Sequence, residues 1–103
     1  MTKFVKAARA DEIRPGEKKI VDVEGILVVI VNLNGQFFAI EDVCTHDGGP
    51  LGEGELHGEQ MVCPRHGARF DVRTGNALTM PAFEPVPTYE VRVEDGDVLV
   101  EAY

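Results

Sequence analysis

The sequence predicts an all-β fold, an antiparallel β-sandwich whose middle third is built from loops. Three observations carry this. Short strand-like segments recur at roughly 8–12 residue spacing, the rhythm of a sandwich or small barrel. No window holds an i, i+3, i+4, i+7 apolar stripe longer than two turns. Two hairpin dipeptides, Asn34-Gly35 and Asp95-Gly96, stand between apolar runs, and both residue types tolerate the positive φ of a tight turn.

Phe4 to Ala8 is expected as a first strand, and Pro15-Gly16 marks a turn. Lys18 to Val23 alternates weakly. Ile26 to Asn32 is a β-branched run of the kind that fills a strand buried on both faces. Gln36 to Ile40 returns as its partner across Asn34-Gly35. Near the C-terminus, Tyr89, Val91 and Val93 are expected on one face, with Glu90 and Arg92 on the other. After Asp95-Gly96, Val98, Val100 and Ala102 alternate with Leu99 and Glu101, so this hairpin closes an antiparallel sheet. Residues 43–87 break the rhythm: seven of eleven glycines, five of six prolines, both cysteines and all three histidines fall there. The expected organisation is one domain over residues 1–103. Its base comprises about 1–42 and 88–103, and a functional subdomain comprises about 43–87.

At 103 residues the chain is too short for a dinucleotide-binding enzyme domain or a multidomain oxygenase. Eighteen acidic against ten basic residues give a net charge of −8, which disfavours nucleic acid and anionic membrane surfaces. Six of the ten basic residues lie in the first twenty (Lys3, Lys6, Arg9, Arg14, Lys18 and Lys19). The remaining acidic surface is either solubilising or a docking face for a basic partner. The N-terminus has no apolar signal region, and the longest apolar run is the six residues Ile26 to Val31. A cytoplasmic protein that stays where it is made is expected. Two cysteines cannot build a disulfide-rich secreted scaffold.

The chemistry lies in Cys44-Thr45-His46 and Cys63-Pro64-Arg65-His66. Two thiolates and two imidazoles suit a tetrahedral Cys₂His₂ zinc site. They equally suit a [2Fe–2S] centre in which histidines hold one iron and cysteines the other. Zinc modules generally pair cysteine with cysteine and histidine with histidine. Here each half mixes the two, so one iron can draw a cysteine from each loop and the other a histidine from each. Gly48 and Gly49 follow the first half and Gly67 the second. Such glycines let backbone N–H groups approach a buried anion.

The chain resembles the Rieske-type ferredoxins over nearly its whole length. Cys-Thr-His-Asp-Gly-Gly-Pro-Leu (44–51), Cys-Pro-Arg-His-Gly-Ala-Arg-Phe-Asp (63–71) and the Phe-Asp-Val-Arg-Thr-Gly stretch (70–75) match the family's cluster-loop motifs. Met80-Pro81-Ala82 resembles its third, shielding loop. The resemblance implies an antiparallel sandwich of the Rieske iron–sulfur-protein type, with a loop-built cluster-binding subdomain. It implies that Cys44 and Cys63 bind the buried iron of one [2Fe–2S] cluster, and that His46 and His66 bind the outer iron through Nδ1. The respiratory branch of the family carries a disulfide where Gly49 and Arg65 stand here, and hydroxyl donors where Ala68 and Phe70 stand. Losing donors to sulfur lowers the potential, so the resemblance is to the soluble, low-potential branch.

The implied function is one-electron carriage, with no catalytic site of its own. The implied donor is a flavin-containing NAD(P)H reductase, and the implied acceptor a terminal oxygenase of aromatic-ring-hydroxylating type. The alternatives are a nitrite reductase small-subunit-like protein and a structural zinc module. Asp47, Glu53, Glu55 and Glu59 are expected near the cluster, as solvated carboxylates or a partner-selecting rim. His57 is expected as an exposed loop residue rather than a ligand.

Overall fold

The computed structural model describes residues 3–45, 48–65, 67–80, 82 and 84–102. Within these residues, ten strands form three antiparallel sheets. The first contains β1 (Lys3–Arg9), β9 (Val91–Glu94) and β10 (Asp97–Ala102), with β10 in the centre. The second contains β2 (Lys18–Val23), β3 (Ile26–Leu33), β4 (Gln36–Glu41) and β8 (Thr88–Tyr89), side by side in that order. The third contains β5 (Leu56–His57), β6 (Gln60–Val62) and β7 (Arg69–Asp71), also in chain order. A single 3₁₀ turn, Ala10–Glu12, follows β1.

Both expected hairpin turns form. Asn34 and Gly35 have φ of 54° and 94°, and Asp95 and Gly96 have 52° and 79°, so each turn twists with its strands. A third turn of this kind, at Glu24-Gly25 (53° and 92°), joins β2 to β3. Glutamate has no preference for that backbone, so the dipeptide gives no hairpin signal. The Asp22 carboxylate secures the turn by accepting from the Gly25 N–H at 2.7 Å.

The apolar run of β3 follows from its position between two buried clusters. Val28 and Ile30 face the first sheet, packing with Ala8, Ile13, Ala39, Val98 and Val100. Val29, Val31 and Leu33 face the opposite way, packing with Cys44, Leu51, Met61, Cys63 and Phe70. Alternate residues of one strand thus anchor two different cores. Ile26 and Leu27 depart from the expectation, being 40% and 50% exposed at the turn end of β3. Asn32 is the one polar residue buried among the described residues. Its amide donates to the Ile13 carbonyl at 2.7 Å and accepts from the Gly35 N–H at 2.7 Å, so both ends are satisfied.

The segment from Tyr89 to Val93 is not one strand. Tyr89 pairs with Ala39 in the second sheet, whereas Val91 pairs with Val100 in the first. The chain changes sheets at Glu90, a corner of the kind that strands make between packed sheets. Tyr89 and Val91 still pack against the base core, but Val93 is 48% exposed. The period-2 pattern is correct within each half and misleading across the corner.

Much of the basic N-terminal stretch is paired. Lys3 meets Glu24 at 2.7 Å, Arg9 meets Asp97 at 2.9 Å, and Lys19 meets Glu12. The Lys19 ammonium and the Arg9 N–H hold the Glu12 carboxyl below its ordinary value of 4.5. The Arg9 guanidinium, with Lys6, holds that of Asp97 below 3.8. A lowered folded-state value stabilises at pH above the ordinary value, and that contribution vanishes as pH falls through the folded one. Arg9→Ala should therefore be less stable than wild type near neutrality, with the gap closing as pH falls below 3.8. Urea unfolding at about pH 7 and about pH 3 checks this; a gap equal at both would contradict it.

Candidate metal centre

Two loops closed by the same pair of backbone hydrogen bonds carry the cysteines. In the first, the Cys44 N–H donates to the Gly49 carbonyl and the Gly48 N–H to the Cys44 carbonyl, both at 2.7 Å. In the second, the Cys63 N–H donates to the Ala68 carbonyl at 2.7 Å and the Gly67 N–H to the Cys63 carbonyl at 3.0 Å. Gly48 and Gly67 occupy the equivalent left-handed position, with φ of 76° and 73°. Glycine is needed at both for that reason. The sequence shows no repeat, because the two loops place their histidines differently, Cys-x-His against Cys-x-x-His. Equivalence appears only in the backbone.

Sheets and loops around them fix this pair. Cys44 follows β4, and the Asp42 carboxylate at the end of that strand accepts from the N–H groups of Leu51 (2.9 Å) and Gly52 (2.6 Å). One side chain thereby holds the far end of the first loop. Cys63 follows β6, and Ala68 leads into β7, so the second loop is the connection of a small hairpin. Gly54 sits so close to β6 that a Cβ there would lie 1.8 Å from the Val62 carbonyl oxygen. The Thr45 hydroxyl donates to the Glu84 carbonyl at 2.7 Å, tying the first loop to the segment that includes Ala82. Asp42 and Gly54 escape sequence reading, since nothing in their spacing distinguishes them from ordinary loop residues.

Cys44 and Cys63 are both buried, at 0% and 2% exposure, within one apolar cluster, and they are not joined by a disulfide. Ala68 and Phe70, both fully buried, belong to the same cluster. Of the predicted ligands, the structure brings these two cysteines into one buried neighbourhood. His46 and His66 lie outside the described residues, as do Asp47 and Pro81. His57 is half-exposed and its Nε2 is 2.7 Å from a Glu55 carboxylate oxygen. Glu53, Glu55 and His57 line a surface cleft beside Cys63, Pro64 and Gly67. Glu59 does not join them. It pairs with Arg73 and faces a groove lined by Gly16, Leu33 and Asn34, so it turns towards the base.

The donor set fits an iron–sulfur group. A thiolate in an apolar interior is costly unless a metal takes up its charge. Each thiol here opens a tight loop that a glycine of left-handed backbone turns back on itself. Two such loops converge on one cluster of buried residues.

Comparison with known proteins agrees. The model of the Rieske [2Fe-2S] domain matches residues 3–90. The biphenyl dioxygenase ferredoxin subunit of Pseudomonas sp. (strain KKS102) is 42% identical over 99 residues, covering 95% of this chain and 91% of that protein. The solved ferredoxin of carbazole 1,9a-dioxygenase from Nocardioides aromaticivorans IC177 superimposes with a TM-score of 0.91 at 36% identity, covering 95% and 96% of the two chains. A chain in the complex of reduced oxygenase and oxidized ferredoxin of carbazole 1,9a-dioxygenase gives 0.89 at 36% identity, covering 94% and 91%. The cofactor is one Rieske [2Fe–2S] cluster, and the chain carries electrons rather than catalysing a reaction. The zinc alternative falls with this result. The two cysteine loops, the all-β frame that holds them and the matching relatives together make this chain a member of the Rieske [2Fe-2S] domain family.

Proposed function

We propose that the protein takes single electrons from a flavin-containing NAD(P)H reductase and delivers them to a terminal oxygenase of aromatic-ring-hydroxylating type. The observation that carries the reading is the pair of matching loops with buried thiols at Cys44 and Cys63. It is supported by full-length similarity to ferredoxin subunits of aromatic dioxygenases. Cys44, Cys63, His46 and His66 are the residues that would hold the cluster. When bound, the cluster supplies a site for one electron. The chain's own part is to bury the thiols, exclude water from the apolar side through Leu51, Met61 and Phe70, and hold the loops on β4 and β6. Residues 43–87 act as the cluster-binding subdomain on a base formed by the two flanks.

The decisive experiment mixes the reduced protein anaerobically with an oxidised aromatic-ring-hydroxylating oxygenase and follows its visible spectrum. Stoichiometric reoxidation within seconds is expected. Oxygenase left oxidised beside a reduced ferredoxin would contradict the reading. NADH with a flavoprotein reductase should restore the reduced spectrum.

The buried Ala68 tests the low potential. A hydroxyl introduced by Ala68→Ser beside Cys63 should favour the more negative, reduced state. A hydrogen bond to a charged acceptor contributes roughly 1.5–3 kcal/mol, of which about 1–2 kcal/mol distinguishes the two redox states. The midpoint potential should rise by roughly 40–85 mV, at about 59 mV per 1.4 kcal/mol for one electron. Voltammetry reads this directly, and an unchanged or lowered potential would refute it.

A further inference from the structure

Gly49 needs a separate explanation from Gly48 and Gly67. Its φ is not positive, so its backbone would accept any residue. It is nevertheless buried. What covers it is Arg65, from the other cysteine loop: a Cβ built on Gly49 would lie 1.8 Å from Nη2 and 2.7 Å from Cζ of that guanidinium. The three atoms nearest to such a Cβ all belong to Arg65. The exposed Arg65 side chain of the second loop thus rests its guanidinium on the bare α-carbon of the first. Gly49 is also the residue whose carbonyl accepts from the Cys44 N–H and closes the first loop.

We propose that Arg65 is a positioning residue that braces the two cysteine loops against each other, by laying its guanidinium on the bare α-carbon of Gly49. This rests on the reading that the two loops hold the cluster. The brace runs from the residue two positions after Cys63 to the residue that closes the Cys44 loop. A shift of Gly49 would thus move the Cys44 backbone directly. The guanidinium plane suits the task, since it can lie flat against backbone while keeping its edge for hydrogen bonds. Its charge also stands at the loop pair, where a cation favours the reduced, more negative state.

The geometry predicts a specific epistasis. In Gly49→Ala the new methyl displaces the guanidinium; in Arg65→Ala the guanidinium is gone. Each holoprotein should lose its visible absorbance to excess EDTA about tenfold faster than wild type, the effect of losing one packed contact between the loops. The double variant should be no faster than Arg65→Ala, because the methyl then meets nothing it can displace. Multiplied rates in the double variant, about a hundredfold, would overturn the proposal, as would wild-type rates in both single variants.

The midpoint potential separates bracing from mere packing. Arg65→Ala should shift the reduced-to-oxidised ratio at fixed potential about threefold towards oxidised. Arg65→Lys keeps the charge and should hold the potential, yet bleach as fast as Arg65→Ala, for want of a plane to lay on Gly49. A lysine variant bleaching at the wild-type rate would overturn the brace. Wild-type protein purified natively without iron would instead defeat the ligand reading, and this proposal with it.

Discussion

Alanine at any one of Cys44, Cys63, His46 or His66 should yield protein without the red-brown colour of the wild type. The wild type should contain about two iron atoms and two acid-labile sulfides per chain. The expected loss is complete because each iron takes only two ligands from the protein, and a three-ligand set leaves one iron open to water. The binding energy of such a group is also folding energy, so without it the loops lose part of what orders them. The variants should therefore keep the amide protection of β1 to β4, β9 and β10 while losing it across residues 43–87. Iron analysis, the reduced EPR spectrum and hydrogen exchange check the three parts. A full iron complement in any of the four variants would remove that residue from the ligand set. Equal protection of 43–87 in apo and holo protein would show that the subdomain folds without the metal.

Phe70→Ala should be the most damaging single substitution outside the ligands. Phe70 is fully buried, pairs with Met61 across the β6–β7 hairpin, and shares its cluster with both cysteines. Truncating a buried phenylalanine costs about 3–5 kcal/mol, through lost transfer energy and the cavity left behind. A domain of this size has only about 5–15 kcal/mol in hand. The cavity would also open beside the thiols, so denaturation and bleaching should occur together at a lower guanidinium concentration. Phe4→Ala is the contrasting case. Phe4 is only half-buried on β1, with the Arg92 guanidinium 4.1 Å from its ring centre, and its loss should cost about 1 kcal/mol. Equal effects of the two substitutions would show that the second core does not depend on Phe70.

What the sequence determined by itself was whatever is encoded locally. The β3 run, the Asn34-Gly35 and Asp95-Gly96 turns and the alternation of β10 all follow from a few adjacent residues, because turn sterics and side-chain period act over that range. The spacing of Cys44, His46, Cys63 and His66, which carries the family resemblance, is local in the same sense. Tertiary structure decided everything that depends on two distant segments meeting. The sheet change at Glu90 is invisible in an alternating stretch, since Val91 pairs with Val100 of the following hairpin while the partner of Tyr89, Ala39, lies far back in the chain. The exposure of Ile26 and Leu27 is likewise absent from the apolar run that contains them. The strands β5 to β7 are too short to register as patterns, and form because the turn at 58–59 and the second loop fold each strand back on the last. The hold of Asp42 on Leu51 and Gly52 and the seat of Arg65 on Gly49 belong to the same class. Each joins residues whose individual types are ordinary, so composition and spacing carry no trace of them; only the backbone path that brings them within reach makes them a contact.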